Sequence, residues 1–353
     1  MRIWNLWLGL TALLSLGLCG AVQAAPSSSA IAALAQQFDK HPLIMIGERH
    51  RSREIHAFLQ QLLRDPEFIC RADDIVVEFG NSRLQDLADK YASGGNITDV
   101  QLQSLWRATA VPLTWNSPVY RQFYETVRSI NQHHLCKHTL RILLADPPLD
   151  WSKIKTVQDY EKFIDRDGSY AGVVEREVLS KHHRALLVAG AAHAWKQIAK
   201  GTDFDEPNAA ELIERKHPGS LFCLVTVPTR GAAESLQMGP PPSFKVVRGS
   251  TLESADYGIV GPEATATLIT VNGKPSWKLN PAKGWPRMGK VVDGLLYLGG
   301  DATSLYPSSA IYLDPVYQRE LRRRAAIIKA YSGQDFTPVI DGLVKDAEQA
   351  RKH

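Results

Sequence analysis

LIMIGERHRS, residues 43–52, sets an apolar tetrapeptide against Gly-Glu-Arg-His. Leu43 to Ile46 form a short, unbroken apolar run closed by glycine. Such a run reads as a strand buried on both faces. The chain then leaves that strand carrying Glu48 and His50. A second stretch repeats the arrangement: ALLVAGAAHAW, residues 185–195, closes an apolar run on Gly190 and delivers His193. Gly47 and Gly190 are expected to turn the chain through positive φ, or to let the backbone pass close to a ligand.

Working outward, further apolar runs predict strands at DIVVEF (74–79), LRILLA (140–145), LFCLVTV (221–227) and GLLYLG (294–299). Between them lie helical spacings. Ile55, Phe58, Leu59, Leu62 and Leu63 mark one from Arg53 to Arg64. A helical insertion runs from about Ser82 to Gln132, with breaks near Gly94-Gly95 and Val111-Pro112. Helical sequence returns over about 157–181, and a helical pair, about 315–331 and 336–352, closes the chain. Apolar strands alternating with helices predict an α/β fold with a mostly parallel central sheet covered by helices. The expected organisation is one domain over 25–353, with a core of about 40–230 and a C-terminal elaboration of about 231–353.

Residues 1–24 read as a secretory signal. Arg2 gives a positive start, an apolar stretch follows, and Val22-Gln23-Ala24 offers small residues before a cleavage point. The mature protein is therefore expected in the periplasm or secreted, with no membrane-spanning segment. Export permits disulfides. Cys70 and Cys136 each lie four residues before a predicted strand, so a bridge between them is reasonable; buried thiols are the alternative. A net charge of +4 on 353 residues is too mild for a polyanion partner, and no nucleic acid is expected. The basic run RELRRR (319–324) reads as the solvated face of a terminal helix.

In an open parallel sheet, ligands sit at the carboxyl ends of the strands. Glu48 and His50, then Glu78, Asp146 and His193 fall at four such ends. Asp146, before Pro147-Pro148, also suits a turn. Imidazoles beside carboxylates can bind a divalent metal or do general acid/base work. Arg49 suits either a solvated salt bridge or an anionic substrate group. The mature chain has no G-x-S-x-G, H-E-x-x-H, C-x-x-C, P-loop or G-x-G-x-x-G. This argues against a serine hydrolase, a zincin and a nucleotide-binding domain.

The Gly-Glu-x-His turn, the strand-ending glutamate in VVEFG, Arg166-Asp167 and the later Gly-x-x-His turn resemble, in that order, the erythromycin esterase/ChaN-like superfamily. This group is also called the Tiki/TraB or haem-binding-uptake superfamily. The resemblance covers about Leu43 to Trp195. It implies an α/β fold whose shared site is matched here by Glu48, His50, Glu78 and His193, with Arg166 matching an arginine before the second turn. Members include lactone-cleaving esterases, metal-dependent proteases and haem-binding lipoproteins. Two features depart from the haem-binding pattern: Arg51 stands where an acidic residue is common, and Cys19 follows the bulky Leu18, unlike a lipobox. The resulting expectation is an exported hydrolase acting on a small-molecule or peptide ester, lactone or amide. His50 or His193 would be the base, Glu48 and Glu78 would orient it or bind a divalent metal with it, and Arg166 would stabilise negative charge. The alternative is a non-catalytic haem- or iron-binding envelope protein.

Overall fold

A computed structural model describes residues 29–199, 207–261, 264–271, 274–299, 305 and 309–352. The expected leader lies outside the described residues. Among those described, no helix is long and apolar enough to cross a membrane.

The strands are β1 (Leu43–Glu48), β2 (Asp74–Asn81), β3 (Arg141–Asp146), β4 (Ala185–Gly190), β5 (Leu221–Thr226), β6 (Ser243–Val246), β7 (Thr265–Val271), β8 (Lys274–Asn280) and β9 (Gly294–Tyr297). Seven of them form one sheet in the order β3-β2-β4-β1-β5-β9-β6, while β7 and β8 pair separately as a hairpin. Within the large sheet only the edge strand β6 is antiparallel. The fold is thus the α/β architecture expected, with the helical insertion after β2 and the helical pair at the C-terminus.

Period-2 alternation divides the core between the two faces of the sheet. Ile44, Ile46, Ile75, Val77, Leu186 and Val188 pack on one side, against helix Arg53–Arg64 and the insertion helices such as Pro118–Gln132. Leu43, Met45, Val76, Ala185, Leu187 and Ala189 pack on the other, beneath the segments 166–178 and 209–216. The insertion breaks at Gly94, where φ is +97°. Cys70 and Cys136 form a disulfide, with Cα atoms 5.2 Å apart, at the entry to the neighbouring strands β2 and β3.

Two details differ from the sequence reading. Gly47 lies inside β1 and Gly190 ends β4; neither has positive φ. The basic run on helix Pro315–Ser332 is also not simply solvated. Arg324 is buried, donates to the Arg107 carbonyl at 2.6 Å and lies 4.8 Å over the Trp151 ring. Arg323 donates to the carbonyls of Trp151 and Ile154. The arginines anchor this helix to the insertion and to the loop after β3.

Candidate functional site

β4 runs between β1 and β2, with Glu48 directly beside Gly190. The carboxylates of Glu48 and Glu78 therefore flank a strand end that carries no side chain. A Cβ at Gly190 would stand 2.6 Å from His50 Cε1, 3.0 Å from Nε2 and 3.4 Å from Glu78 Oε1. The glycine is required by space rather than by φ: the His50 ring fills the volume that a side chain would take.

A tight turn aims that ring. Ser52 N–H donates to the Arg49 carbonyl at 3.1 Å, and Arg51 adopts φ +64°, a left-handed conformation disfavoured for residues other than glycine. Its backbone is held from both sides: the Arg51 N–H donates to the Tyr120 hydroxyl at 3.0 Å, and the Arg51 carbonyl accepts from Leu305 N–H at 2.8 Å. Ser52 then caps the following helix, accepting from Ile55 N–H. Trp115, in the core, packs edge-on against His50 with ring centroids 4.5 Å apart.

Glu48 is buried and densely contacted. Its Oε1 accepts from Tyr120 Oη at 2.9 Å and lies 3.1 Å from His50 Nδ1. Its Oε2 is 2.7 Å from His56 Nε2. This last contact is an ion pair by distance, but it lacks hydrogen-bond alignment. Burial alone would raise the Glu48 carboxyl; the two histidines outweigh it and hold the pKa at about 2. Burial would conversely lower the His50 imidazole, but the Glu48 hydrogen bond and the Glu78 and Glu48 charges raise it.

Glu78 is equally buried, yet neither of its oxygens has an aligned hydrogen bond among the described residues. His50 Nδ1 is 3.6 Å from Oε1; His193 Nε2 is 3.2 Å and Arg166 Nη2 4.0 Å from Oε2. His193 is itself oriented by Asp167, whose Oδ1 is 2.7 Å from Nδ1 and also accepts from Ala209 N–H. With a proton on Nδ1, Nε2 presents a lone pair towards Glu78. Arg166 Nε donates to Asp146 Oδ1 at 3.0 Å, and its Nη2 donates to Tyr170 Oη. Asp146 also accepts from Ala110 N–H at 2.6 Å. Burial raises the Asp146 carboxyl, against the lowering effect of Arg166.

The sequence-derived residues Glu48, His50, Glu78 and His193 thus meet at the carboxyl ends of β1, β2 and β4. Arg166 and Asp146 form an ion pair behind Glu78. The ligand atoms of Glu48, His50 and Glu78 all lie within 4.8 Å of one another, a group that can hold a metal ion. His193 faces the other oxygen of Glu78. Sequence reasoning missed His56, Tyr120 and the role of Asp167. A histidine within the apolar stripe Ile55–Phe58–Leu59 was the one available signal for His56.

Above the group opens a cleft of about 740 Å³, lined by Glu48, His50 and His193 at its polar base and by Trp195, Val225 and Tyr257 along one wall. Trp285 braces that wall, its ring centroid 4.7 Å from Trp195 and 4.8 Å from Tyr257.

No family model and no curated protein sequence matches the chain. Similar solved structures include a Bacillus cereus protein, at 11% identity and TM-score 0.46, covering 78% of this chain and 92% of the other. A succinoglycan biosynthesis protein matches at 9% identity and TM-score 0.46, covering 78% and 91%. ChaN of Campylobacter jejuni, solved with cofacially bound haem, matches at 16% identity and TM-score 0.36, covering 55% and 84%.

Proposed function

We propose that the mature chain, residues 25–353, is an exported hydrolase of the erythromycin esterase/ChaN-like superfamily. In this reading Glu48, His50 and Glu78 hold a divalent metal. The observation that carries it is Glu78: a buried carboxylate without an aligned donor, facing two imidazoles. A structural carboxylate at such depth is normally fully hydrogen-bonded. Two carboxylates and an imidazole also form a donor set suited to zinc or a similar divalent ion.

A bound metal would lower the pKa of a coordinated water and polarise a carbonyl. The chain's own groups do the rest. His56 and His50 hold Glu48 in its ionised form, and the Tyr120 hydroxyl fixes its position. Asp167 orients His193 through Nδ1; with the proton on Nδ1, the Nε2 lone pair beside Glu78 can accept a proton from a water held between them, as a general base requires. Arg166 keeps positive charge behind Glu78, its Nη2 4.0 Å from Oε2. The bond cleaved is an ester, lactone or amide presented over the polar base of the cleft.

The test is purification of the mature chain, elemental analysis, and hydrolysis of an ester and peptide panel. A stoichiometric divalent metal, lost together with activity in His50→Ala/His193→Ala, is expected. Full activity in that double variant would overturn the site. A Soret band on adding haemin, abolished by His50→Ala or His193→Ala in a protein that hydrolyses nothing, would replace hydrolysis with haem binding.

A further inference from the structure

Arg49 sits between two residues of the site, yet none of the contacts above uses its side chain. It is exposed and lines the cleft. Among the described residues, no carboxylate lies within ion-pairing distance of it and its guanidinium makes no hydrogen bond, whereas Arg166 is satisfied by Asp146 and Tyr170. The solvated salt bridge that the sequence allowed is not formed among the described residues. The turn that aims His50 inwards, closed by the Arg49 carbonyl and Ser52 N–H, leaves Arg49 beside the opening.

The wall offers the complementary feature. Trp195, Val225, Tyr257 and Val260 line the cleft but are only 3%, 2%, 1% and 7% exposed. They contribute an apolar seam to the cleft wall. The Trp195–Trp285–Tyr257 contacts fix part of that seam, so it cannot widen without breaking aromatic packing. An apolar strip of this kind suits an aliphatic chain.

We infer that the cleft takes an anionic amphiphile: an aliphatic chain along the Trp195–Val225–Tyr257–Val260 seam and an acidic group on Arg49. The substrate class is then an acyl ester or amide bearing a negative charge near the scissile bond. Arg49 is a specificity-determining residue, contributing a charge-assisted hydrogen bond that a neutral analogue cannot use. This class rests on the hydrolase reading for its chemistry but not for its binding.

The test is a binding titration by tryptophan fluorescence in EDTA, so that no metal supplies the anion contact. Octanoate is compared with octanamide. Octanoate is expected to bind about tenfold more tightly, with the preference falling as salt is added. Arg49→Gln should abolish the preference while leaving octanamide affinity unchanged; Arg49→Lys should keep part of it. Val260→Trp, which fills the seam, should weaken both ligands. Equal binding of the two ligands by the wild-type chain, or a preference that survives Arg49→Gln, would overturn the inference. Charge-selective binding without turnover of octanoyl esters overturns the hydrolase reading alone. Turnover of an ester panel without any charge preference overturns this inference alone.

Discussion

Glu48 and Glu78 are the same residue type, equally buried and separated in the sheet by one strand, yet they are built oppositely. Glu48 receives Tyr120, His50 and His56 and is held ionised with a pKa of about 2. Glu78 receives no aligned hydrogen bond among the described residues. One half of the site is complete in the folded chain. The other half keeps a buried carboxylate without an aligned donor. The contrast separates a carboxylate that the folded chain satisfies from one that it leaves without an aligned donor, although both sit in a single cluster.

The sharpest way to break this contrast is to neutralise each carboxylate in turn. Glu48→Gln removes the buried carboxylate that Tyr120, His50 and His56 contact, and should cost about 3–5 kcal/mol in urea unfolding. Glu78→Gln should leave stability nearly unchanged, because no aligned hydrogen bond is lost, while bound metal and activity are lost. Equal destabilisation by the two substitutions would erase the distinction.

The second prediction concerns acid. The folded-state pKa of Glu48 lies below its ordinary value of 4.5, at about 2. Its contribution is therefore fully present above pH 4.5 and is lost as pH falls through about 2. A shift of this size corresponds to about 3 kcal/mol. Unfolding midpoints measured between about pH 5 and pH 2 should fall more steeply for wild type than for Glu48→Gln, by that amount. Parallel pH profiles would show that Glu48 is not the anchored group.

Third, Gly190→Ala keeps an extended backbone (φ −56°, ψ 147°) but places a methyl 2.6 Å from the His50 ring. His50 must move away from both glutamates. kcat/KM on the best panel substrate should drop about a hundredfold, with little change in melting temperature. The smallest effect is expected for Tyr120→Phe, which removes a hydrogen bond from both Glu48 and the Arg51 backbone. It should cost about 1–2 kcal/mol in denaturant unfolding and leave metal content intact.

The sheet was legible because its buried strands are unbroken apolar runs, and the site followed because Glu48, His50, Glu78 and His193 terminate those runs or follow them closely. The edge strand β6 and the hairpin β7–β8 were not foreseen. They are short or partly exposed, in a glycine- and proline-rich region where burial imposes no apolar pattern. Gly47 read as a turn because a glycine after four apolar residues gives the same signal whether the strand stops or continues. His56 and Tyr120 come from helix faces, and Asp167 from a helix start. Their sequence spacing declares them buried or capping, but only tertiary packing decides which carboxylate or imidazole they meet. Arg323 and Arg324 were misread for the related reason that a run of like charges does not reveal which members find carbonyls to bind.

The strand order carries a kinetic consequence. β1 and β2 are synthesised early, but they do not pair with each other; the position between them belongs to β4, which follows β2 in the chain only after the whole insertion and β3. Until β4 inserts, Glu48 and Glu78 stand on strands with an open edge between them, and the pocket that receives His50 has no floor. Such non-local pairing forms late. Closure of the sheet and assembly of the site are consequently one event, so a chain still being made carries both glutamates before the site around them exists.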